Sequence, residues 1–202
     1  MPPTEPAREP AARWREGWLA GARAVPSPNQ GERPPGTVPD LVVIHSISLP
    51  PGRYGGDEIE AFFTNRLDVC RHPYFERLRG LEVSAHFVVR RDGELLQFVS
   101  CDRRAWHAGR SAFRGRENCN DFSVGIELEG LEGEAFAPVQ YRVLAALLRD
   151  LRAAYPIAHV TGHEHVAPLR KADPGAAFDW EGLQRLLGWP PACFTPLDPT
   201  AS

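Results

Sequence analysis

The alternation of apolar and polar positions along the chain predicts a set of β-strands. Residues 41–47 form a β-branched apolar run that is typical of a buried strand, and His45 lies near its end. Residues 85–90 and 94–99 predict two more strands, which an Asp-Gly turn joins as a hairpin. The chain therefore contains several strands, one of which carries a histidine close to its end.

A further predicted strand, residues 123–129, has two different faces. Its side chains alternate strictly, so successive side chains point to opposite sides of the sheet. The apolar face consists of Val124, Ile126 and Leu128. Glu127 and Glu129 share the opposite face, so a pair of carboxylates projects from an anchored strand.

Helical spacing predicts most of the remaining elements. Apolar residues recur at helical spacing over residues 139–155, and Pro156 closes this segment. Asp57 and Glu60 have the form of a capping box at the start of another helix. The other predicted elements are that helix over 58–65, a short strand over 158–162, a loop over 163–175 and a last helix over about 180–187. This mixture predicts an α/β domain in which helices flank a mixed central sheet.

Length and composition favour one domain between two proline-rich ends. The chain has 202 residues, of which 43% are hydrophobic, which suffices for one core but is short for two domains. Prolines crowd residues 1–13, which we expect to be disordered, and recur in residues 189–202, which we expect to be a flexible tail. The domain itself is predicted to span residues 14–188.

Charge and the length of apolar runs exclude several classes of partner. The formal net charge is −3, so the chain has no electrostatic reason to bind nucleic acid or acidic lipid. No apolar run reaches transmembrane length, and charged residues and prolines interrupt the N-terminus where a secretory signal needs an apolar stretch. We therefore expect a monomeric cytoplasmic protein with a pocket for a small molecule and four free cysteine thiols.

The candidate chemistry lies around histidines: His45, His107, and the neighbours His163 and His165. A catalytic zinc needs three nitrogen or oxygen donors from the protein and one open position. His45, His163 and Asp173 can supply this set, although they are far apart along the chain. From the residues alone, a lone histidine is more often a hydrogen-bonded structural residue than a metal ligand, so both interpretations stay open.

Four ordered motifs stand out along the chain. They are LVVIHSISLPPGRYGG (41–56), VSAHFVVRRDGELLQFVS (83–100), RAWHAGRSAFRGRENCNDFSVGIELEG (104–130) and VTGHEHVAPLRKADPGAAFDW (160–180). These motifs resemble the N-acetylmuramoyl-L-alanine amidase family and are most similar to its cytosolic members that act on anhydro-muramyl peptides. The likeness is collinear from about Trp18 to Trp180, nearly all of the predicted domain, which makes it highly specific.

The resemblance implies a zinc site and a catalytic pair. The zinc ligands of the family fall on His45, His163 and Asp173, at strand ends on the edge of the sheet. The catalytic glutamate of the family falls on Glu127, and its active-site lysine on Lys171. Zinc lowers the pKa of water to about 7, which makes hydroxide available near neutral pH. Glu127 would exchange protons with this water and the leaving alanine nitrogen, and Lys171 would stabilise the oxyanion.

Plain structural interpretations stand beside these roles. Glu127 could be a solvated strand residue, and Lys171 an ordinary surface charge. His163 and His165 would point the same way in an extended segment, so His165 competes for a metal role, but we expect it outside the ligand set. His86 belongs to the motifs but is not a ligand in the family pattern.

The resemblance also suggests substrate contacts. We expect Trp106 and His107 to line the pocket, with burial of both rings in the core as the alternative. Ser46 stands where close relatives often have Asn, which leaves a shorter hydrogen-bonding group beside the substrate. Arg170 can bind a peptide carboxylate through two parallel hydrogen bonds. Two further arginines are weaker candidates for this role, Arg71 and Arg116.

The resemblance implies a reaction and leaves two alternatives. The implied reaction is zinc-dependent hydrolysis of the amide between the lactyl group of (1,6-anhydro-)N-acetylmuramic acid and L-alanine, in cytosolic muropeptides recycled from the cell wall. One alternative is a broader amidase that acts on intact peptidoglycan. The other is a binding module for peptidoglycan fragments without catalysis, which loss of a zinc ligand would mark. Here all three ligand positions hold competent donors.

Overall fold

A mixed six-stranded sheet forms the centre of the computed structural model, which describes residues 13–197. Its strands are β1 (Arg23–Ala24), β2 (Leu41–Ile47), β3 (Phe87–Val89), β4 (Leu95–Gln97), β5 (Ser123–Glu129) and β6 (His159–Gly162). Their order across the sheet is β6-β2-β5-β3-β4-β1. The β3–β4 hairpin is antiparallel and the other neighbours are parallel, so the predicted mixed sheet is confirmed.

Four helices flank this sheet. They are α1 (Glu58–Phe63), α2 (Pro138–Ala154), α3 (His163–Val166) and α4 (Trp180–Leu187). Helices α2 and α4 cover one face, where Leu144, Leu148 and Leu183 pack in one cluster with the even-numbered apolar residues of β2 and β5. This packing anchors the two central strands through Val42, Ile44, Val124, Ile126 and Leu128.

The opposite face of the sheet is covered by α1 and by long connecting segments. Ile59, Phe62 and Phe75 pack there with Val88 of β3 in a second cluster. A third cluster joins Leu41 and Val43 of β2 to residues from the segment before β5. Every residue of β5 is buried, so its polar face is enclosed rather than solvated.

Short elements complete the described part of the chain. Two-residue strands pair as Trp14–Arg15 with Trp18–Leu19, Gln30–Gly31 with Arg104–Ala105, and Ala112–Phe113 with Arg116–Glu117. Short 3-10 helices span Val69–Arg71, Pro73–Leu78, Cys119–Asp121, Pro191–Cys193 and Thr195–Leu197. Among the described residues, no helix has both the length and the apolar character needed to cross a membrane.

Two local predictions are wrong for identifiable reasons. The side chain of Asp57 makes no capping hydrogen bond, because it faces Arg71, whose guanidinium lies 3.4 Å from its carboxylate. The segment expected to be a loop begins with α3, whose single turn is closed by a hydrogen bond from Ala167 N–H to the carbonyl of His163. His163 and His165 therefore do not share an extended face.

The described residues include little of the proline-rich N-terminal segment and most of the C-terminal one. Most of the N-terminus that we expect to be disordered, residues 1–12, lies outside the described residues. The segment predicted to be a flexible tail is described up to residue 197, where Phe194 is fully buried and bridges to Val160 of β6. The domain bounds of 14–188 stay a prediction.

A buried arginine ties the N-terminal part of the chain to the segment before β5. The guanidinium of Arg33 donates to the carbonyls of Cys101, Asn120, Asp121 and Ser123 over 2.8–3.3 Å. Burial lowers the pKa of Arg33 to about 10, which leaves it charged at neutral pH. One side chain thus satisfies four interior carbonyls.

We predict that Arg33→Met lowers the free energy of unfolding by about 2–4 kcal/mol, because four interior carbonyls lose a charged donor. Arg185→Met is the control, since Arg185 is exposed and its loss should cost less than about 0.5 kcal/mol. Urea unfolding of both variants measures the difference. Equal stability of the two variants would contradict this account of Arg33.

Candidate active site

The candidate site lies where β2 and β5 pair as parallel neighbours. Glu127 of β5 is the register partner of His45 of β2. Partners in a parallel ladder have the same orientation relative to the sheet, so both side chains lie on the face away from α2. His45 and Glu127 are both buried there.

Three side chains converge beside this pair. His45 Nδ1 lies 2.9 Å from His163 Nδ1 and 3.0 Å from Asp173 Oδ2. His163 Nδ1 lies 2.9 Å from the same Asp173 oxygen. His163 follows β6 directly, and Asp173 is held near it by a hydrogen bond from Glu164 N–H to the Asp173 carbonyl. Three separate elements thus bring these donors together.

The donor set fits a metal ion of the zinc type. Two imidazole nitrogens and one carboxylate oxygen, all buried, have ligand atoms within 4.8 Å of one another. Two ligands of one tetrahedral zinc lie roughly 3.3 Å apart, close to the separations seen here. Two neutral imidazoles and one carboxylate are also a common set of protein ligands for catalytic zinc.

Burial lowers the pKa of two imidazoles in this region, those of His45 and His107. Burial, followed by the neighbouring His163, lowers the pKa of His45 to about 4. Loss of solvent, followed by the neighbouring His45, lowers the pKa of His107 well below its ordinary value. Neutral imidazoles are the form that binds a metal.

Glu127 is a buried carboxylate with spare hydrogen-bonding capacity. Only 9% of the residue is exposed, and its Oε2 has no hydrogen-bond partner among the described residues. Burial, followed by the charge of Asp173, raises the pKa of Glu127 well above its ordinary value. A carboxyl group whose pKa is raised accepts a proton more readily than an ordinary carboxylate and can return it to a basic leaving group.

Glu129, on the same face of β5 as Glu127, holds backbone groups of neighbouring segments. It is 1% exposed and therefore not solvated. Its carboxylate accepts hydrogen bonds from the backbone N–H groups of Gly55 (2.7 Å) and Arg91 (2.9 Å) and lies 3.3 Å from the Arg90 guanidinium. Glu129 therefore fixes the loop after β2 against the β3–β4 hairpin.

A cleft of about 350 Å³ opens onto His45, His163 and Asp173. Its wall combines apolar side chains such as Phe62 and Leu78 with polar groups. The predicted site residues that line it are Ser46, Trp106, His107, Glu127 and Lys171, together with His45, His163 and Asp173. Lys171 is exposed, and the Ser46 hydroxyl is buried without a hydrogen-bond partner among the described residues.

The three arginines that were candidates for binding a peptide carboxylate all have partners within the protein. Arg170 donates to the carbonyls of Ala108 (2.7 Å) and Arg110 (2.6 Å), so part of its guanidinium holds backbone instead of facing the cleft. Arg71 pairs with Asp57, and Arg116 binds Asp40 with two hydrogen bonds of 2.9 Å. Neither of these two arginines lines the cleft.

Three other histidines lie around the cluster of His45, His163 and Asp173, and of these three only His107 contacts His45 within hydrogen-bond distance among the described residues. His165 Nδ1 accepts a hydrogen bond from Gly162 N–H, and its ring contacts Trp180. His86 accepts a hydrogen bond from Gly125 N–H and, mainly through burial, has its pKa lowered to about 3. His107 lies closest, with Nδ1 2.9 Å from His45 Nε2.

Two polar residues near the cleft were missed by the sequence interpretation. Ser123 Oγ lies 3.2 Å from His107 Nε2, and Asn120 Oδ1 accepts hydrogen bonds from the backbone N–H of His107 and Ala108. The alternation of β5 places Ser123 on the face of Glu127, which was the available signal. Asn120 had no comparable signal, because it precedes the strand.

Comparisons with known proteins identify the family of the chain. Residues 35–176 match the N-acetylmuramoyl-L-alanine amidase family. The 1,6-anhydro-N-acetylmuramyl-L-alanine amidase AmpD of Escherichia coli is 54% identical over 174 residues, which cover 85% of this chain and 95% of that protein. AmpD of Haemophilus influenzae is 44% identical over 169 residues, covering 82% of this chain and 92% of that protein.

Solved structures show the same fold. A crystal structure of a selenomethionine AmpD derivative superposes with a TM-score of 0.84 at 53% identity, covering 86% of this chain and 98% of that one. The amidase AmiD from E. coli, in complex with the substrate anhydro-N-acetylmuramic acid-L-Ala-D-γ-Glu-L-Lys, has a TM-score of 0.54 at 29% identity, covering 77% of this chain and 60% of that one. The chain therefore belongs to the N-acetylmuramoyl-L-alanine amidase family.

Proposed function

We propose that this protein is a zinc amidase that cleaves the bond between the lactyl group of 1,6-anhydro-N-acetylmuramic acid and L-alanine. The similarity to AmpD proteins over 85% of the chain supports this substrate class. The observation that carries the proposal is the juxtaposition of a buried, incompletely hydrogen-bonded Glu127 with the ligand His45 on paired strands. A binding module without catalysis has no need of such a carboxylate.

His45, His163 and Asp173 would hold the zinc ion. When bound, zinc supplies Lewis acidity, which activates water and polarises an amide carbonyl. The apolar wall of the cleft, which includes Phe62, Phe63 and Leu78, would bind the less polar parts of the sugar and its lactyl group.

Glu127 would move the protons of the reaction. It takes a proton from the attacking water as the new carbon–oxygen bond forms at the amide carbonyl. It then delivers that proton to the alanine nitrogen as the carbon–nitrogen bond breaks, so the leaving group departs as a neutral amine. Its raised pKa suits both halves of this cycle, because the carboxyl group must be a competent base and then a competent acid.

Lys171 would stabilise the negative charge that develops on the carbonyl oxygen. It lines the same cleft as Glu127 and Asp173, and its exposed ammonium can turn towards a bound substrate. Trp106, His107 and Ser46 would contact the substrate from the cleft wall. Arg170 would act on substrate mainly by holding the 108–110 backbone at the rim.

We place this activity in the cytoplasm, on soluble muropeptides recycled from the cell wall. The test is incubation of the zinc-loaded protein with anhydro-muramyl tripeptide, followed by mass spectrometry of the products. We expect free tripeptide and 1,6-anhydro-N-acetylmuramic acid, with far slower release from intact peptidoglycan. Faster cleavage of intact peptidoglycan would favour the broader amidase, and cleavage at another bond would refute the proposed reaction.

The ligand assignment predicts one zinc per chain that is lost on removal of a ligand. His45→Ala and Asp173→Ala should abolish stoichiometric zinc, measured by elemental analysis after dialysis. His165→Ala is the matched control, because its ring contacts Trp180 outside the ligand cluster. Equal zinc loss in the His165 variant would mean that the ligand set is wrong.

The catalytic assignment predicts that Glu127→Gln retains zinc and the fold but slows amide cleavage by about 10²–10⁴-fold. Lys171→Ala should lower turnover on the order of 10²–10³-fold. Glu181→Gln makes the same chemical change as Glu127→Gln at an exposed position of α4, away from the cleft, and should leave turnover near that of the wild type. Turnover, substrate affinity and zinc content are measured together for each variant.

Glu129→Gln separates loop anchoring from catalysis. It should lower the free energy of unfolding by about 1–3 kcal/mol, because backbone N–H groups lose a charged acceptor, while costing far less in turnover than Glu127→Gln. Near-normal turnover by zinc-loaded Glu127→Gln would refute the role of Glu127 and make Glu129 the next candidate.

A further inference from the structure

The hydroxyl of Ser123 donates its proton to a single hydrogen bond, the one to the carbonyl of Cys119. Ser123 is fully buried, and its Oγ lies 2.6 Å from the carbonyl oxygen of Cys119. A carbonyl oxygen has no proton, so the hydroxyl must be the donor in this contact. Towards any other neighbour, Ser123 Oγ can therefore only accept a hydrogen bond.

Because Ser123 Oγ can only accept from His107, this contact determines which nitrogen of His107 carries a proton. His107 Nε2 lies 3.2 Å from Ser123 Oγ, so a hydrogen bond there requires Nε2–H as the donor. A neutral imidazole has one donor and one acceptor nitrogen. His107 Nδ1 is therefore an acceptor.

The acceptor role of His107 Nδ1 in turn determines which nitrogen of His45 carries a proton. His45 Nε2 lies 2.9 Å from His107 Nδ1, so it must carry the proton of that contact. The lone pair of His45 is then on Nδ1, the atom that faces His163 and Asp173. Three hydrogen bonds in series thus set the tautomer of His45.

His163 reaches the same tautomer by a separate route. Its Nε2 lies 3.2 Å from the carbonyl oxygen of Ala108, which can only accept. The lone pair of His163 is therefore also on Nδ1. The Ala108 carbonyl is held in turn by Arg170, whose guanidinium donates to it over 2.7 Å.

The position of His107 is built into the surrounding chain. Asn120 Oδ1 accepts from the backbone N–H of His107 (3.1 Å) and of Ala108 (2.8 Å). On β5, a Cβ added to Gly125 would lie 2.4 Å from His107 Cγ, so the strand leaves room for the ring only because this residue is glycine. A ring held by its backbone and by the strand beneath it cannot turn freely.

We propose that Ser123 and His107 are positioning residues that fix His45 in the tautomer whose Nδ1 binds zinc. This inference rests on the proposed zinc amidase function. Fixing the ring raises zinc affinity because the free site spends little of its time in orientations or tautomers that cannot bind. Neither residue needs to touch the reacting atoms.

The test measures tautomers and zinc affinity in protein labelled with ¹⁵N-histidine. Correlation spectra of the ring nitrogens, recorded with and without zinc, should show His107 protonated on Nε2. His107→Leu and Ser123→Ala should weaken zinc binding, measured by chelator competition, with about a 10–100-fold loss for His107→Leu and a smaller loss for Ser123→Ala. His107→Asn keeps an amide oxygen where Nδ1 lay and should restore most of the affinity.

We call the series of hydrogen bonds that joins Ser123, His107 and His45 the relay. Two control variants separate the effect of this relay on zinc affinity from general effects on stability. Ser27→Ala removes another buried serine that donates to a carbonyl, that of Phe63, and should leave zinc affinity unchanged. His165→Asn removes a histidine that neighbours the ligand His163 in sequence and should also leave it unchanged.

A proton on Nδ1 of His107, or wild-type zinc affinity in His107→Leu, would overturn the relay. If His107→Leu fails to fold, the tautomer in the wild-type protein and the zinc affinity of Ser123→Ala decide the matter. A protein with this tautomer and tight zinc, but no cleavage of anhydro-muramyl tripeptide, would keep the relay and refute the proposed function. Absence of zinc binding would refute the ligand set. It would also refute the proposal that Ser123 and His107 raise zinc affinity.

Discussion

The in-register parallel pairing of β2 with β5 is the constraint on which the rest of the site depends. Seven residue pairs run from Leu41 opposite Ser123 to Ile47 opposite Glu129. This register sets His45 beside Glu127, and thus a proposed metal ligand beside the proposed acid and base. Because side chains alternate along a strand, a slip of one residue would turn Glu127 into the apolar layer under α2. The apolar residues packed against α2 and α4 therefore maintain the geometry of the chemistry on the other face.

The polar face of β5 divides several tasks among successive residues. Ser123 accepts a hydrogen bond from His107, and Gly125 leaves the space that the His107 ring occupies. Glu127 faces the cleft, and Glu129 holds the loop after β2. A strand buried on both faces moves little, which gives each of these groups a fixed position. Arg33 extends this rigidity to the segment before the strand by binding its carbonyls.

Much of this arrangement could be predicted from the sequence where periodicity is strong. The bounds of β2 and β5 match the predicted strands at 41–47 and 123–129, and α2 lies within one residue of its predicted start and end. Helix α3 was missed because a single turn is too short to show a helical period. The burial of Glu129 was missed because its partners, backbone groups of distant segments, have no side-chain signature.

The proposal that His45, His163 and Asp173 bind a metal came from the family resemblance, because residues so far apart along the chain are brought together only by the fold. The direction of the hydrogen bonds among Ser123, His107 and His45 could not be predicted from the sequence either, because it depends on which atoms are in contact in the folded protein.

Anomalous diffraction at the zinc edge, from crystals of zinc-loaded wild-type protein and of Glu127→Gln, tests this account most directly. We predict one peak in both crystals, within about 2.0–2.2 Å of His45 Nδ1, His163 Nδ1 and an Asp173 carboxylate oxygen. Glu127 should lie outside the ligand set, so its substitution should leave the peak in place. A peak coordinated by His165 or by His45 Nε2, or loss of the peak in Glu127→Gln, would contradict the division between metal ligands and proton-transfer group.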